Sequence, residues 1–138
     1  MLTAVDTNIL IDIFVGDKKF GQGSAQALKQ LLQKGSVCAC EVVWVETATS
    51  FANQQTFLDA MQEFNIKFLP MSTEASFIAA KSWRKYRQHG GRKNRIAADF
   101  LIGGHAYSQC DQLLTRDNGF YRKYFKKLTI INPTIRLV

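Results

Sequence analysis

Leu2-Thr3-Ala4-Val5-Asp6-Thr7-Asn8-Ile9-Leu10 is the stretch on which the reading of this chain turns. Leu2 to Val5 is small, apolar and β-prone, which predicts a short strand that stops at the carboxylate of Asp6. From Asn8 to Val15 apolar residues return at helical spacing, until Gly16 and Asp17 break the run. A strand, an acid and then a helix open an α/β unit, and the same order repeats outward along the chain.

The repeats are legible from their punctuation. A helix is predicted over Ser24 to Lys34, stopped by Gly35, and a second strand over Ser36 to Cys40. The next helix runs from about Glu41 through Phe51 and onward toward Asn53, and another covers Thr56 to Phe64. Ile66 to Leu69 is a third strand, ended by Pro70; Ser72 or Thr73 opens a long helix to Gln88, closed by Gly90-Gly91. Asn94 to Tyr107 is helical by spacing, Gln112 to Thr115 is a fourth strand, and Leu128 to Ile131 before Pro133 is a fifth. Strands alternating with helices predict an α/β fold with a mostly parallel sheet of about five strands, covered on both faces. In such sheets ligands bind outside the carboxyl ends of the strands, the position that Asp6 and Asp117 occupy.

Length and composition narrow the class. At 138 residues, 46% of them hydrophobic, the chain suits one domain over 1–138 and is not a disordered segment. Cys38, Cys40 and Cys110 form no paired zinc motif and read as reduced core thiols, and His89 and His105 have no metal spacing either. With no basic leader and no stretch long enough to span a bilayer, a cytoplasmic protein without membrane contact is expected.

The acids are few and oddly placed. Of eleven Asp and Glu residues, Asp6 ends a strand, Glu46 follows Val42-Val43-Trp44-Val45, Asp99 sits inside Ile96-Ala97-Ala98-Asp99-Phe100-Leu101-Ile102, and Asp117 follows Leu113-Leu114-Thr115. Burying an ionised carboxylate costs several kcal/mol unless it is paired or binds a metal. Each acid alone has a plain structural explanation as a cap, an ion pair or a loop start, but together they can converge at one edge of the sheet. A carboxylate cluster without histidine suits a hard cation, Mg²⁺ or Mn²⁺, which would activate water against a phosphodiester.

The cations complement that cluster. Eighteen Lys and Arg against eleven acids give a net charge of +7, which favours a polyanionic partner. Lys81, Arg84, Lys85, Arg87, Arg92, Lys93 and Arg95 lie in a stretch without an acid, and Arg116, Arg122, Lys123, Lys126 and Lys127 surround Asp117 in sequence. Arg84, Lys85, Arg87, Arg92, Lys93, Arg95 and Arg116 are the candidate nucleic-acid contacts, although solvated helix faces also carry such charges. Trp83, Tyr86, Phe120, Tyr121, Tyr124 and Phe125 are interleaved with them; some could stack on unpaired bases, and more than half are expected to be core.

These residues resemble the PIN domain, and within it the stand-alone VapC-type ribonuclease toxins of type II toxin–antitoxin pairs. The parts that carry the resemblance are Val5-Asp6-Thr7-Asn8-Ile9-Leu10, Val42-Val43-Trp44-Val45-Glu46, Ala98-Asp99-Phe100-Leu101-Ile102 with Ala106, and Leu114-Thr115-Arg116-Asp117 with Phe120, closed by Ile131-Asn132-Pro133. The resemblance implies a three-layer α/β/α fold and Mg²⁺-dependent endonucleolytic cleavage of RNA. It further implies a homodimer and a small antitoxin that blocks the active-site groove. Carried over residue by residue, the catalytic and metal-binding acids are Asp6, Glu46, Asp99 and Asp117, with Asp6 and Asp99 the firmest ligands and Glu41 a neighbour to be distinguished from Glu46. Thr7, Asn8 and Thr115 would assist by hydrogen-bonding to ligands or water.

Two other readings stay open from the sequence. A non-catalytic RNA-binding module would use the basic stretches and aromatics and keep the acids as structure. A haloacid dehalogenase-type phosphatase also places an aspartate after its first strand, but the second aspartate such enzymes use is replaced here by Asn8.

Overall fold

A computed structural model of the chain describes residues 1–90 and 97–134. Five parallel strands, β1 (Leu2–Val5), β2 (Ser36–Ala39), β3 (Ile66–Phe68), β4 (Gln112–Leu114) and β5 (Ile130–Ile131), lie side by side in the order β3-β2-β1-β4-β5. Among the described residues seven helices connect them: α1 (Thr7–Phe14), α2 (Gly21–Lys34), α3 (Glu41–Ala48), α4 (Gln54–Glu63), α5 (Thr73–Gln88), α6 (Ala97–Gln109) and α7 (Asn118–Tyr124). This is the three-layer α/β/α arrangement the sequence predicts.

The inner strands are apolar on both faces because helices cover both. Val37, Cys38 and Ala39 of β2 and Leu113 and Leu114 of β4 are all buried, as parallel strands between two helical layers require. On one side Phe14 of α1 meets Phe51 and Phe64 edge-on, and Trp44 meets Phe57 in the same way. On the other, Tyr86, Phe100, Phe120 and Tyr124 knit α5, α6 and α7 together. Most of the aromatics interleaved with the basic residues are therefore core: Tyr86, Phe120, Tyr121 and Phe125 are buried.

Several boundaries differ from the periodicity. The third helix stops at Ala48 instead of running to Phe51, because Asn53 accepts from the Thr56 amide at 2.9 Å and caps α4 afresh. The fifth strand shrinks to two residues. A further helix over Asn118–Tyr124 has no counterpart among the expected elements, because the aromatic side chains that hold it find their partners only in the folded molecule. Asn94, the expected start of the sixth helix, lies outside the described residues. Gly16, at φ +68°, closes α1 in the left-handed region that glycine enters without steric cost.

The chain moves outward from β1 to β3 and then returns to place β4 on the other side of β1. The strand order therefore reverses between β1 and β4, which leaves a crevice at their carboxyl ends.

Candidate active site

Asp6 stands at that reversal. Val5 is paired with Leu114, the Asp6 amide donates to the Leu114 carbonyl at 2.9 Å, and the next residue of each strand is then held beside the other. Thr115 Oγ1 donates to Asp6 Oδ2 at 2.7 Å. On the same oxygen the Tyr121 hydroxyl donates at 3.1 Å and the Asn8 amide at 3.4 Å, whereas Oδ1 receives the Thr7 backbone N–H at 2.7 Å. The side chain so capped opens α1, with Asp6 itself in extended backbone.

Hydrogen bonds to a carboxylate favour its ionised form, but here burial prevails. Asp6 is 6% exposed, and its pKa is pushed up to about 6 by desolvation, with the negative charge of Asp99 acting in the same direction. The Tyr121 hydroxyl is pushed well above its ordinary range by burial and then by the charges of Asp6, Asp99 and Asp117. Three of the four expected acids thus share one neighbourhood. Asp99 reaches it from the first turn of α6, and Asp117 from the head of α7, where Thr115 Oγ1 accepts from its amide at 3.0 Å.

Glu46 joins through a different contact: Thr7 Oγ1 donates to its Oε1 at 2.7 Å, so the residue after Asp6 bridges α1 to α3. Glu41 is engaged elsewhere, accepting from the Met71 amide at 3.0 and 3.2 Å. Asp6, Asp99 and Asp117 share a neighbourhood that Glu46 adjoins through Thr7, and the set is not a closed cage. Among the described residues, no three of these carboxylates bring one oxygen each within 4.8 Å of one another, as mutual repulsion would have it. An all-oxygen donor set around an aspartate raised chiefly by burial fits a hard divalent cation, which would relieve the burial and repulsion that raise Asp6.

Two residues of this region escaped the sequence reading. Tyr121 reads there as one more aromatic among cations, yet its hydroxyl is fully buried on Asp6. Asp12, in the middle of α1, is 4% exposed and takes Arg116 Nε at 2.6 Å and Nη2 at 3.0 Å, with Ser24 Oγ at 3.0 Å completing the set. A carboxylate amid Ile11, Ile13 and Phe14 was the signal, since an acid in an apolar run needs a partner.

The candidate RNA contacts divide by place. Arg84, Lys85 and Arg87 are exposed on α5, with the Arg87 guanidinium 5.8 Å from the ring centre of Trp83. Arg116 is turned inward, its fork on Asp12 and its guanidinium 3.9 Å from the ring centre of Phe20. Arg92, Lys93 and Arg95 lie outside the described residues. A groove of about 1130 Å³ opens nearby between α2 and β5, lined by Lys18, Lys19, Phe20, Arg122 and Asn132 but by none of the four acids. The chemistry belongs with the acids, since volume alone supplies no reactive group.

Residues 3–126 match the model of the PIN domain. The chain belongs to the PIN domain family. Its fold is similar to that of VapBC2 from Rickettsia felis, solved bound to a DNA fragment from the promoter, with a TM-score of 0.74 at 18% identity over 96% of this chain and 98% of that one. VapBC-1 from nontypeable Haemophilus influenzae gives a TM-score of 0.73 at 20% identity, covering 98% of this chain and 100% of that one. FitAB bound to the IR36 DNA fragment gives 0.69 at 18% identity, covering 99% and 98%. No curated protein sequence matches the chain. PIN domains are typically nucleases that use metal ions, so at that coarse level this PIN domain is a hydrolase, and the phosphatase reading falls away. Among the described residues no helix is long and apolar enough to cross a membrane.

Proposed function

We propose that this PIN domain is a Mg²⁺-dependent endoribonuclease, with Mn²⁺ able to substitute, and the toxin of a VapBC-type toxin–antitoxin pair. The observation that carries the reading is Asp6: a buried carboxylate at the β1/β4 reversal, its pKa raised to about 6, with Asp99 and Asp117 acting electrostatically on the same Tyr121 hydroxyl. Asp6 and Asp99 would be the principal ligands of the ion, with Glu46 and Asp117 completing its surroundings. Bound there, Mg²⁺ would supply Lewis-acid stabilisation of the phosphodiester and a lowered pKa for the attacking water.

The protein's own groups do the positioning. Thr115, Tyr121 and Asn8 fix Asp6 Oδ2, and Thr7 fixes Glu46, so each acid presents a set rotamer instead of a searching one. Arg84, Lys85 and Arg87 offer exposed charge for the phosphate backbone. RNA as the substrate rests on the family resemblance and on the net charge of +7. An antitoxin partner is supported by the VapBC and FitAB assemblies whose fold the chain shares. A homodimer is supported by two exposed apolar side chains, Val45 on α3 and Phe77 on α5, 64% and 69% exposed.

The test is incubation of the purified, antitoxin-free chain with total RNA and with small structured RNAs, in Mg²⁺ or EDTA, beside Asp6→Asn. Discrete products that need the metal and vanish in the variant are expected. RNA that binds but stays whole in every metal would overturn the nuclease in favour of a binding module.

A further inference from the structure

The fold brings Cys38 to two soft donors from the other end of the chain, His105 and Cys110. Cys38 in the middle of β2, His105 in the second half of α6 and Cys110 just beyond that helix each offer a ligand atom within 4.8 Å of the other two. The Cys38 and Cys110 sulfurs are 3.5 Å apart. Cys38 and His105 are each 1% exposed, while Cys110 is half-buried and leaves a way in from solvent.

His105 is the telling member. Its Nε2 is buried without a hydrogen-bond partner, while the Leu69 backbone hydrogen-bonds the ring. A proton carried on Nδ1 would leave Nε2 a bare lone pair. Leaving a buried polar atom unmet costs about 1–3 kcal/mol, so such an atom calls for an explanation. Burial also keeps this imidazole neutral, the form that ligates metal. The contact between the two thiols holds Cys110 below its usual range and pushes Cys38 well above it, so Cys110 is the thiol that gives up its proton first.

We propose that Cys38, His105 and Cys110 form a binding site for a thiophilic cation, Zn²⁺ in the first instance. With Zn–S bonds of about 2.3 Å, tetrahedral geometry sets the two sulfurs about 3.8 Å apart, so the present 3.5 Å needs only small side-chain adjustment. Two thiolates and an imidazole select Zn²⁺ or Cu⁺ over Mg²⁺, which keeps this site chemically separate from the carboxylates. Binding releases the thiol protons to solvent, and the fourth position is left to water on the Cys110 side. The ion would tie β2 to the end of α6 away from Asp99; Cys110 lies eleven positions beyond Asp99, about 16 Å along helix and cap. The site does not depend on the nuclease reading.

The experiment uses the full chain, reduced, stripped with chelator and titrated anaerobically with Co²⁺ as the spectroscopic stand-in for Zn²⁺. One equivalent should produce a thiolate-to-cobalt charge-transfer band and tetrahedral visible bands, displaced by one equivalent of Zn²⁺ and untouched by excess Mg²⁺. Cys38→Ser and Cys110→Ser, near-isosteric changes whose folding circular dichroism would check, should each lose the band and bind Zn²⁺ at least about tenfold more weakly. Asp6→Asn should keep it. Cobalt that binds without a thiolate band, a band that survives both cysteine variants, or two cysteines that close into a disulfide and retain no metal once reduced again would overturn the proposal.

Discussion

Asp6 is held in a state the folded chain resists, and the sign of that resistance is measurable. Its pKa rises from 3.8 to about 6 on folding, so the folded form binds the proton more tightly than the unfolded one between those values. Stability from this group is complete below pH 3.8 and is lost as the pH passes 6, at a cost of about 3 kcal/mol in neutral solution. In EDTA the thermal midpoint should therefore rise on acidification from pH 7.5 to 5, less whatever other groups contribute. Asp6→Asn should raise the midpoint at pH 7.5, flatten that dependence and abolish cleavage, because the amide can still meet Thr115 and Tyr121 while carrying no charge. A midpoint at pH 7.5 equal to that of the parent chain would show that Asp6 carries no such penalty. Asp12 shows the opposite case, a buried acid fully matched by Arg116 and Ser24. Arg116→Ala should cost about 3–5 kcal/mol in denaturant unfolding by stranding Asp12, and the Asp12→Ala/Arg116→Ala double variant should lose less than the sum.

Helix α6 carries Asp99 at its first turn and therefore has to be seated accurately. It lies against α5 at Gly104, where an added Cβ would come within 2.7 Å of the Ala75 carbonyl oxygen and 2.9 Å of the Ala79 side chain. Backbone cannot yield as a side-chain tip can, so Gly104→Val should force the helices apart. A loss of about 2–3 kcal/mol in unfolding is expected, with cleavage falling further than binding as Asp99 leaves its place. Wild-type stability in that variant would mean the helices separate freely. The element scale also shows where the sequence is silent. Phe120, Tyr121 and Tyr124 pack Asn118–Tyr124 as α7 against α5 and α6 and so deliver the Tyr121 hydroxyl to Asp6. Periodicity has little hold on seven residues; tertiary contacts decide them.

Across the whole molecule, charge and exposed apolar surface govern association. Replacing Arg84, Lys85 and Arg87 by Gln should weaken RNA binding and make it less sensitive to salt, the slope falling by up to about one unit for each phosphate left without its cation. Unchanged affinity at moderate salt would remove α5 from the RNA face. Val45 and Phe77 stand on α3 and α5, both of which pack against α6. If their face is the dimer contact, Phe77→Asp should convert a dimer into a monomer by light scattering, with the far-ultraviolet spectrum preserved.

What the sequence determined by itself is local. Strand and helix order follow from apolar period and from punctuation at residues such as Gly16, Gly35 and Pro70, and parallel pairing follows from that alternation. The unusual placement of Asp6, Glu46, Asp99 and Asp117 is equally visible, because an acid in an apolar run stands out wherever the chain later goes. Only the tertiary structure decided what meets what. Arg116 turns from the solvent to Asp12, Tyr121 leaves the aromatic background for Asp6, and Cys38, a plain core thiol by spacing, meets Cys110 and a His105 whose Nε2 has no hydrogen-bond partner. Each of these contacts spans dozens of residues, and at such separations the partner is chosen by packing and desolvation across the folded sheet, which leave no period in the sequence.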